Sequence, residues 1–168
     1  MGVEFTTEEG AIVGVLMGSS SDWPTMQKCS ETLSNLGITH ECNAISAHRN
    51  AERLAAYVKD AEQRGVKVFI CAAGGAAHLA GVVASLTALP VLGCPMKAWS
   101  LEGLDSLLSM AQMPKGVPVA TFAIGSAGAI NAAIFAAQVL SLSDDAIGEK
   151  LLAFRQEQSE TIQELPQG

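Results

Sequence analysis

The chain has 168 residues, a length suited to one folded domain with a single hydrophobic core. Hydrophobic residues make up 49% of it and aromatic residues only 5%, so the core must consist mainly of small and branched aliphatic side chains. The formal charge of -7 argues against a nucleic-acid partner, because binding to a polyanionic backbone depends on Lys and Arg. One phosphate on a small ligand remains compatible with that charge, since a helix N-terminus and one arginine can hold it.

Apolar runs of strand length alternate with helical patterns along the chain. They predict strands at 11–17, 40–45, 66–73, 91–93 and 117–123, and helices at about 23–36, 50–64, 76–86, 125–140 and 143–164, with an irregular segment at 94–103. This alternation predicts an α/β domain in which helices cover both faces of a parallel sheet and ligands bind at the carboxyl ends of the strands. The last helix, with Ser143 as its predicted N-cap, is polar, and we expect it to lie away from the main core or on a partner subunit.

The chain is predicted to consist of a flexible N-terminal extension (1–10), one α/β domain that includes the last helix (11–164) and a short tail (165–168). The N-terminal residues carry three glutamates and no basic residue, which is unlike a secretory signal. The four cysteines form no C-x-x-C pair, and we interpret them as buried thiols in a reducing compartment. These features together predict a cytoplasmic protein.

One long stretch, 68–96, has no charged residue apart from a protonated form of His78, and its length would suit a membrane-spanning helix. Gly74, Gly75, Gly81 and Pro90 interrupt the stretch. The interruptions favour a buried strand, a crossover helix and a second buried strand, so we expect no membrane association.

Three loops, predicted to follow the first three strands, carry the candidate functional residues: GSSSD (18–22), SAHRN (46–50) and AGGAAH (73–78). The first offers hydroxyls and N–H groups for an anion, but it is equally typical of a helix cap. In the second, His48 can move a proton near neutral pH and Arg49 can bind phosphate, whereas the plain alternative is a solvated helix start. In the third, paired glycines let the backbone approach a ligand, and we expect His78 to be a packed, hydrogen-bonded structural histidine rather than a base.

Common catalytic signatures are absent from the sequence. It contains no G-x-G-x-x-G, Walker, H-E-x-x-H or G-x-S-x-G motif, and no evident set of metal ligands.

Taken in order along the chain, several motifs resemble one family. They are GSSSDW (18–23), SAHR (46–49), AGGAAHL (73–79), LDSLLSMAQMPKGVPVATFAIG (104–125) and GAINAAIFAAQVL (128–140). The sequence is similar, over about residues 14–140, to the N5-carboxyaminoimidazole ribonucleotide mutases of purine biosynthesis, also called phosphoribosylaminoimidazole carboxylase catalytic subunits.

The resemblance implies a flavodoxin-like three-layer sandwich with a five-stranded parallel sheet in the order 2-1-3-4-5, a homo-octamer with shared sites, and no metal or organic cofactor. It implies an isomerase that moves a carboxylate from N5 to C4 of an aminoimidazole ribonucleotide by way of carbon dioxide. In this reading His48 is the general acid and base. The substrate-binding residues implied are Ser19, Ser21, Asp22, Ser46, Arg49, Ala73, Gly74, Ala76 and Leu79.

Other functions stay open on the sequence alone. One alternative is a direct carboxylase, which would use aminoimidazole ribonucleotide and carbon dioxide. The carboxylase form of the family resembles SAHK at the second loop, whereas this chain has SAHR, so Arg49 favours the mutase. A non-catalytic module that binds a flavin mononucleotide is disfavoured, because one Tyr and two Trp leave few rings for stacking. A relative with a changed substrate is suggested by departures from the family pattern at Ala80, Ala120 and the segment around Trp99.

Overall fold

A computed structural model describes residues 5–161 and shows a five-stranded sheet in which every strand pairs in parallel with its neighbours. The strand order is β2-β1-β3-β4-β5, as the family resemblance implied. The strands are β1 (Val13–Met17), β2 (His40–Ala44), β3 (Val68–Gly74), β4 (Val91–Met96) and β5 (Ala120–Thr121).

Six α-helices connect or follow the strands in this part of the chain: α1 (Trp23–Asn35), α2 (Ala51–Arg64), α3 (Leu79–Leu86), α4 (Leu104–Ala111), α5 (Ser126–Leu140) and α6 (Asp145–Thr161). Buried residues of α1 and α5 form one core with the sheet, and those of α2, α3 and α4 form a second core. The sheet is therefore covered on both faces, as the apolar strands require.

Strand β3 shows how one apolar run supplies both cores. Val68, Ile70 and Ala72 belong to the first core, whereas Phe69 and Cys71 belong to the second. Because successive side chains of a strand point to opposite faces, a central strand must be apolar throughout.

Helix α5 lies very close to the chain that precedes it. A Cβ at Gly128 would overlap the carbonyl group of Ala123, and the buried face of the helix consists largely of alanines. Small residues are needed here because larger side chains would separate the backbones.

Three sequence predictions for the second half of the sheet need correction. Helix α4 was missed, because Leu104 and Leu108 are half exposed and blur the apolar periodicity. Strand β4 continues past the predicted end at Gly93, even though Pro95 lacks an N–H group. Strand β5 is only two residues long, whereas the prediction spans seven, and it pairs with β4 alone.

Two helix starts also differ from the predictions. Helix α3 begins at Leu79 rather than Ala76, and the residues before it form a loop. Asp144, not Ser143, caps the last helix, since its side-chain oxygen accepts hydrogen bonds from the N–H groups of Ala146 and Ile147.

The uncharged stretch 68–96 forms β3, α3 and β4. Among residues 5–161, no helix combines the length and apolar character needed to cross a membrane.

Part of the predicted N-terminal extension contacts the domain. The N–H and carbonyl groups of Thr6 hydrogen bond to the Asn43 side chain at 2.9 and 2.8 Å, and Phe5 packs edge-on against Tyr57. The first four residues and the predicted tail lie outside the described residues, so the division into three segments stays a prediction.

Candidate functional site

A cavity of about 670 Å³ lies at the carboxyl ends of the strands, where the loops after β1, β2, β3 and β4 meet. The ten residues that the sequence nominated for catalysis or substrate binding all line it. The lining consists of Gly18, Ser19, Ser21, Asp22, Ser46, Ala47, His48, Arg49, Ala73, Gly74, Ala76, His78, Leu79, Lys97, Ala98 and Trp99.

The loop after β1 is folded by its own serines. The Oγ of Ser19 accepts hydrogen bonds from the N–H group of Ser21 at 3.2 Å and from the Ser21 hydroxyl at 2.9 Å, and so caps a single 3-10 turn at Ser20–Asp22. Capping therefore occurs here, and the same two serines line the cavity.

The loop after β2 is a tight turn that projects His48 and Arg49. The N–H group of Arg49 donates to the Oγ of Ser46 at 3.3 Å, which stabilises this turn. Asn50, rather than Ser46, caps α2, because its side-chain oxygen accepts from the N–H group of Arg53 at 3.2 Å. Ser46 is thus a cavity residue that supports the turn.

Arg49 connects the first two loops. Its Nη2 donates to the carbonyl oxygen of Gly18 at 3.3 Å, while the side chain remains exposed in the cavity wall. The remaining donors of its guanidinium group suit oxygen atoms of a phosphate or carboxylate.

His48 and His78 form a pair across the cavity. The Nε2 of His48 lies 2.8 Å from the Nδ1 of His78, and the two rings meet edge to face. At this distance one imidazole donates and the other accepts, so a single proton lies between them.

The prediction that His78 is packed was wrong, whereas the prediction that its side chain is hydrogen-bonded is confirmed. Its side chain is exposed, because α3 begins one residue later and leaves His78 in the cap position facing His48. The sequence could not reveal this start, since the loop Ala76–Ala77 has strong helical propensity.

The loop after β3 brings bare backbone to the cavity. The carbonyl oxygen of Ala72 accepts from the N–H group of Gly18 at 2.9 Å, which fixes this loop beside the first. Gly75 has a φ of 65°, a left-handed conformation that glycine adopts easily. A Cβ at Gly74 would lie 2.8 Å from the Cβ of Ala98, so both glycines allow close contact with the next loop.

The loop after β4 was not nominated by the sequence analysis. It contributes Lys97, Ala98 and Trp99 to the cavity. The available signal was topological: β4 is parallel to the first three strands, so its carboxyl end lies at the same edge of the sheet.

The cavity combines several cationic or protonatable groups with one carboxylate. Among the described lining residues, Arg49, Lys97 and the two histidines face a single acid, Asp22. Burial raises the pKa of the Asp22 carboxyl, and a backbone hydrogen bond with Ser19 offsets part of that rise. Lys97 forms an ion pair with Glu102, and both side chains are largely exposed. The site therefore suits an anionic ligand.

Comparisons with known proteins agree with this geometry. Residues 12–161 match the family model described as AIR carboxylase. A Vibrio parahaemolyticus protein named N5-carboxyaminoimidazole ribonucleotide mutase is 53% identical over 150 residues, which cover 89% of this chain and 93% of the relative. A Pseudomonas aeruginosa protein of the same name is 51% identical over 156 residues, covering 93% and 96%.

Among solved structures, the crystal structure of Treponema denticola PurE superposes with a TM-score of 0.82 at 30% sequence identity, and the match covers 89% of this chain and 92% of that one. The sequence match extends over almost the whole domain, and the fold match covers the same share. This chain belongs to the AIR carboxylase family.

Proposed function

We propose that this protein is an N5-carboxyaminoimidazole ribonucleotide mutase, an isomerase of purine biosynthesis that moves a carboxylate from N5 to C4 of the substrate. The observation that carries the proposal is the cavity in which the loops of Ser19, His48 and Gly74 meet. Support comes from relatives that bear this name and are about half identical to the chain.

The substrate phosphate binds at the side of the cavity formed by Arg49 and the first loop. Arg49 presents unused guanidinium donors there, and the hydroxyls of Ser19 and Ser21 lie beside it. The Asp22 carboxylate accepts hydrogen bonds from the ribose hydroxyls, and the Ser46 hydroxyl donates to a ribose oxygen. Binding energy from the phosphate and ribose positions the distant imidazole ring for reaction.

The reaction consists of two balanced steps. In the first, the bond between N5 and the carboxylate carbon breaks, carbon dioxide is released, and N5 takes up a proton to give aminoimidazole ribonucleotide. In the second, the electron-rich C4 attacks carbon dioxide, a C–C bond forms, and C4 then loses its proton. One proton is consumed and one is released, so one acid–base group suffices for both steps.

His48 is that acid–base group, and His78 is its positioning partner. The hydrogen bond of 2.8 Å orients the His48 ring and gives its proton a second site on His78. Because both side chains line the cavity and neither is buried in a core, they can reach a bound ligand.

Carbon dioxide must remain in the cavity between the two steps. The segment from the end of β3 to the start of α3 offers Ala73, Gly74, Ala76 and Leu79 as a small, largely apolar wall. Such a wall binds a small neutral molecule without offering it a nucleophile, and it limits access of water.

An assay with two substrates tests the proposed function. Purified protein is incubated separately with N5-carboxyaminoimidazole ribonucleotide and with aminoimidazole ribonucleotide plus bicarbonate, and the C4-carboxylated product is measured. The mutase forms product from the first substrate well above the uncatalysed rate. No excess over that rate rejects the proposal, and preferential use of the second substrate identifies a direct carboxylase instead.

Replacement of His48 tests the assigned acid–base role. We expect His48→Asn to lower kcat by about 10²- to 10⁴-fold, the usual contribution of a positioned general acid or base, with little change in ligand binding. His40→Asn is the matched control, because His40 lies outside the cavity and hydrogen bonds to Ser30 and Ile38. Near-normal turnover of His48→Asn would place the acid–base group elsewhere.

We also propose that the protein assembles as a homo-octamer in the cytoplasm. Exposed leucines support an assembly: Leu101, Leu104 and Leu108 are 58%, 52% and 49% exposed and lie close together in sequence. Apolar side chains in such a group favour burial against another subunit. Light scattering that gives the mass of a monomer would refute the assembly.

A further inference from the structure

The side chain of Trp99 lines the cavity and has no role in the function proposed above. It lies in the short 3-10 turn Trp99–Leu101 after β4, and 81% of its surface is exposed. A large aromatic ring in such a position loses favourable packing unless something covers it, so its place beside the cavity requires an explanation.

Contacts with the loop after β3 fix the ring in place. A Cβ at Gly75 would overlap the six-membered ring of Trp99, so this ring occupies the space that only a glycine leaves open. In the same way, a Cβ at Gly74 would come too close to the Cβ of Ala98. One edge of the ring thus rests on bare backbone, and much of its surface stays exposed.

The backbone around Trp99 is strained in the conformation that places its ring beside the cavity. Trp99 has a φ of 47° and Glu102 a φ of 54°, which are left-handed conformations uncommon for residues other than glycine. Each costs on the order of 1 kcal/mol or more, and such strain persists only where the surrounding structure enforces it. The ion pair between Lys97 and Glu102 closes this segment on itself.

We infer that Trp99 is a specificity-determining residue that packs against the aminoimidazole end of the bound ribonucleotide and closes that end of the cavity to water. The inference rests on the proposed function. Trp99 contacts the loop that carries His78, where the reacting ring binds, whereas Arg49 contacts the loop that carries Ser19, where the phosphate binds. Trp99 therefore lies at the aminoimidazole end of the ligand.

Closure over the ring has a chemical consequence. When N5 has released carbon dioxide, the gas can either react at C4 or escape and leave aminoimidazole ribonucleotide behind. A large apolar side chain over the mouth slows escape and excludes water. Trp99 therefore controls how much of the consumed substrate becomes C4-carboxylated product.

The decisive variants are Trp99→Ala and Trp99→Phe. Both the C4-carboxylated product and free aminoimidazole ribonucleotide are measured while the substrate is consumed. Stacking of one aromatic ring on a heterocycle is worth about 1–3 kcal/mol, so we expect Trp99→Ala to raise KM by about fivefold or more and to increase the fraction of uncoupled product. Trp99→Phe keeps a smaller ring and should give intermediate values.

Leu142→Ala is the matched control, because Leu142 is a highly exposed apolar side chain that belongs neither to the cavity lining nor to the leucines proposed to meet another subunit. The control should resemble the unsubstituted protein in KM and product ratio, and light scattering should give one mass for all variants. Unchanged values in Trp99→Ala overturn the inference. So does a loss of assembly in Trp99→Ala, because it would assign the ring to a subunit interface.

Fluorescence separates this inference from the proposed function. The protein contains two tryptophans, so Trp23→Phe, which alters no lining residue, leaves Trp99 as the only reporter. Aminoimidazole ribonucleotide should change the Trp99 emission, whereas ribose 5-phosphate, which lacks the ring, should not. Turnover without an emission change overturns the inference and leaves the mutase standing; an emission change without turnover rejects the mutase and retains the contact.

Discussion

Replacing Arg64 with Met should expose how strongly a buried carboxylate on β2 depends on its partner. The side chain of Glu41 is completely buried, whereas that of Arg64 is 27% exposed. Two guanidinium nitrogens of Arg64 donate to the carboxylate at 2.7 and 2.6 Å, the Tyr57 hydroxyl donates at 2.9 Å, and the N–H group of Glu8 donates at 3.0 Å. Methionine retains much of the apolar stem and removes both charged donors.

The expected loss of stability follows from this asymmetry in burial. Removing one partner of a buried ion pair costs about 3–5 kcal/mol, because the other charge is left without compensation. Arg64 is partly exposed, so water can reach some of the vacated space, while Tyr57 and Glu8 still donate to the carboxylate. We therefore expect a decrease of about 2–3 kcal/mol in the free energy of unfolding at pH 7.

The dependence on pH has a definite sign. Burial by itself would raise the pKa of the Glu41 carboxyl, but hydrogen bonds from Arg64, Glu8 and Tyr57 hold it below the usual value. The stability that Glu41 contributes is thus present above its unfolded pKa of about 4.3 and is lost as the pH falls through the lower folded value. In Arg64→Met the effect of burial dominates and raises the pKa of the Glu41 carboxyl. Protonation then removes the unpaired buried charge, so the variant regains part of its lost free energy of unfolding. The stability difference between the two proteins should shrink as the pH falls from 7 towards 4.

Denaturant unfolding at equal protein concentration, repeated across this pH range, measures the difference. The control is the double variant Glu41→Gln, Arg64→Met, which removes the buried charge and should be more stable at pH 7 than Arg64→Met alone. A loss below about 0.5 kcal/mol in Arg64→Met, or a double variant no more stable than the single one, would show that water already compensates the carboxylate.

Three further substitutions test the site and its scaffold. Arg49→Lys keeps the charge but not the guanidinium fork, so KM should rise about tenfold with a smaller change in kcat; an unchanged KM in steady-state kinetics would remove Arg49 from the phosphate site. His78→Leu should lower kcat about tenfold or more and alter its pH profile at nearly constant KM, because His48 loses its partner; an unaltered profile would leave His78 a structural role only. Gly128→Ala should lower the free energy of unfolding by at least about 2 kcal/mol in denaturant unfolding, because the new Cβ would overlap a carbonyl group. Gly148→Ala should raise it by roughly 0.5–1 kcal/mol, because a Cβ there would lie 3.8 Å from the Cβ of Ser141, an ordinary contact distance. Equal effects of the two substitutions would refute this packing.

The central part of the fold was predictable because its signals are local. The apolar runs of β1 and β3 and the left-handed glycine at the end of α2 act within a few residues, and the structure confirms these strands and this helix end. At the edge of the sheet, seven residues of suitable type form a strand of only two, because their pairing with β4 extends over Ala120 and Thr121 alone. A proline such as Pro95 is not typical of a strand interior, because it lacks an N–H group. Strand β4 nevertheless continues through Pro95, whose carbonyl oxygen accepts a hydrogen bond from the N–H group of Gly125.

The candidate site was predictable where one loop carries recognisable chemistry, and less so where two loops must meet. Arg49 and the serines of the first loop stand out by residue type, and they line the cavity. The pairing of His48 with His78 depends on where α3 begins, and it brings together residues thirty positions apart in the chain. Trp99 enters the cavity because Gly75, in the loop after β3, leaves room for its ring. No local pattern encodes either contact.

The four loops are coupled to one another unequally, and this determines which of them can change without loss of the chemistry. Hydrogen bonds join the first three: Arg49 to Gly18, His48 to His78, and Gly18 to Ala72. A substitution in one of these loops therefore moves groups in the others. The loop after β4 meets them through packing against the glycines of β3 and its loop. Because such contacts are not directional, a different side chain at position 99 can reshape the mouth of the cavity while the histidine pair stays in place. Changes in substrate preference should accordingly arise in residues 97–99 before they arise at the histidines.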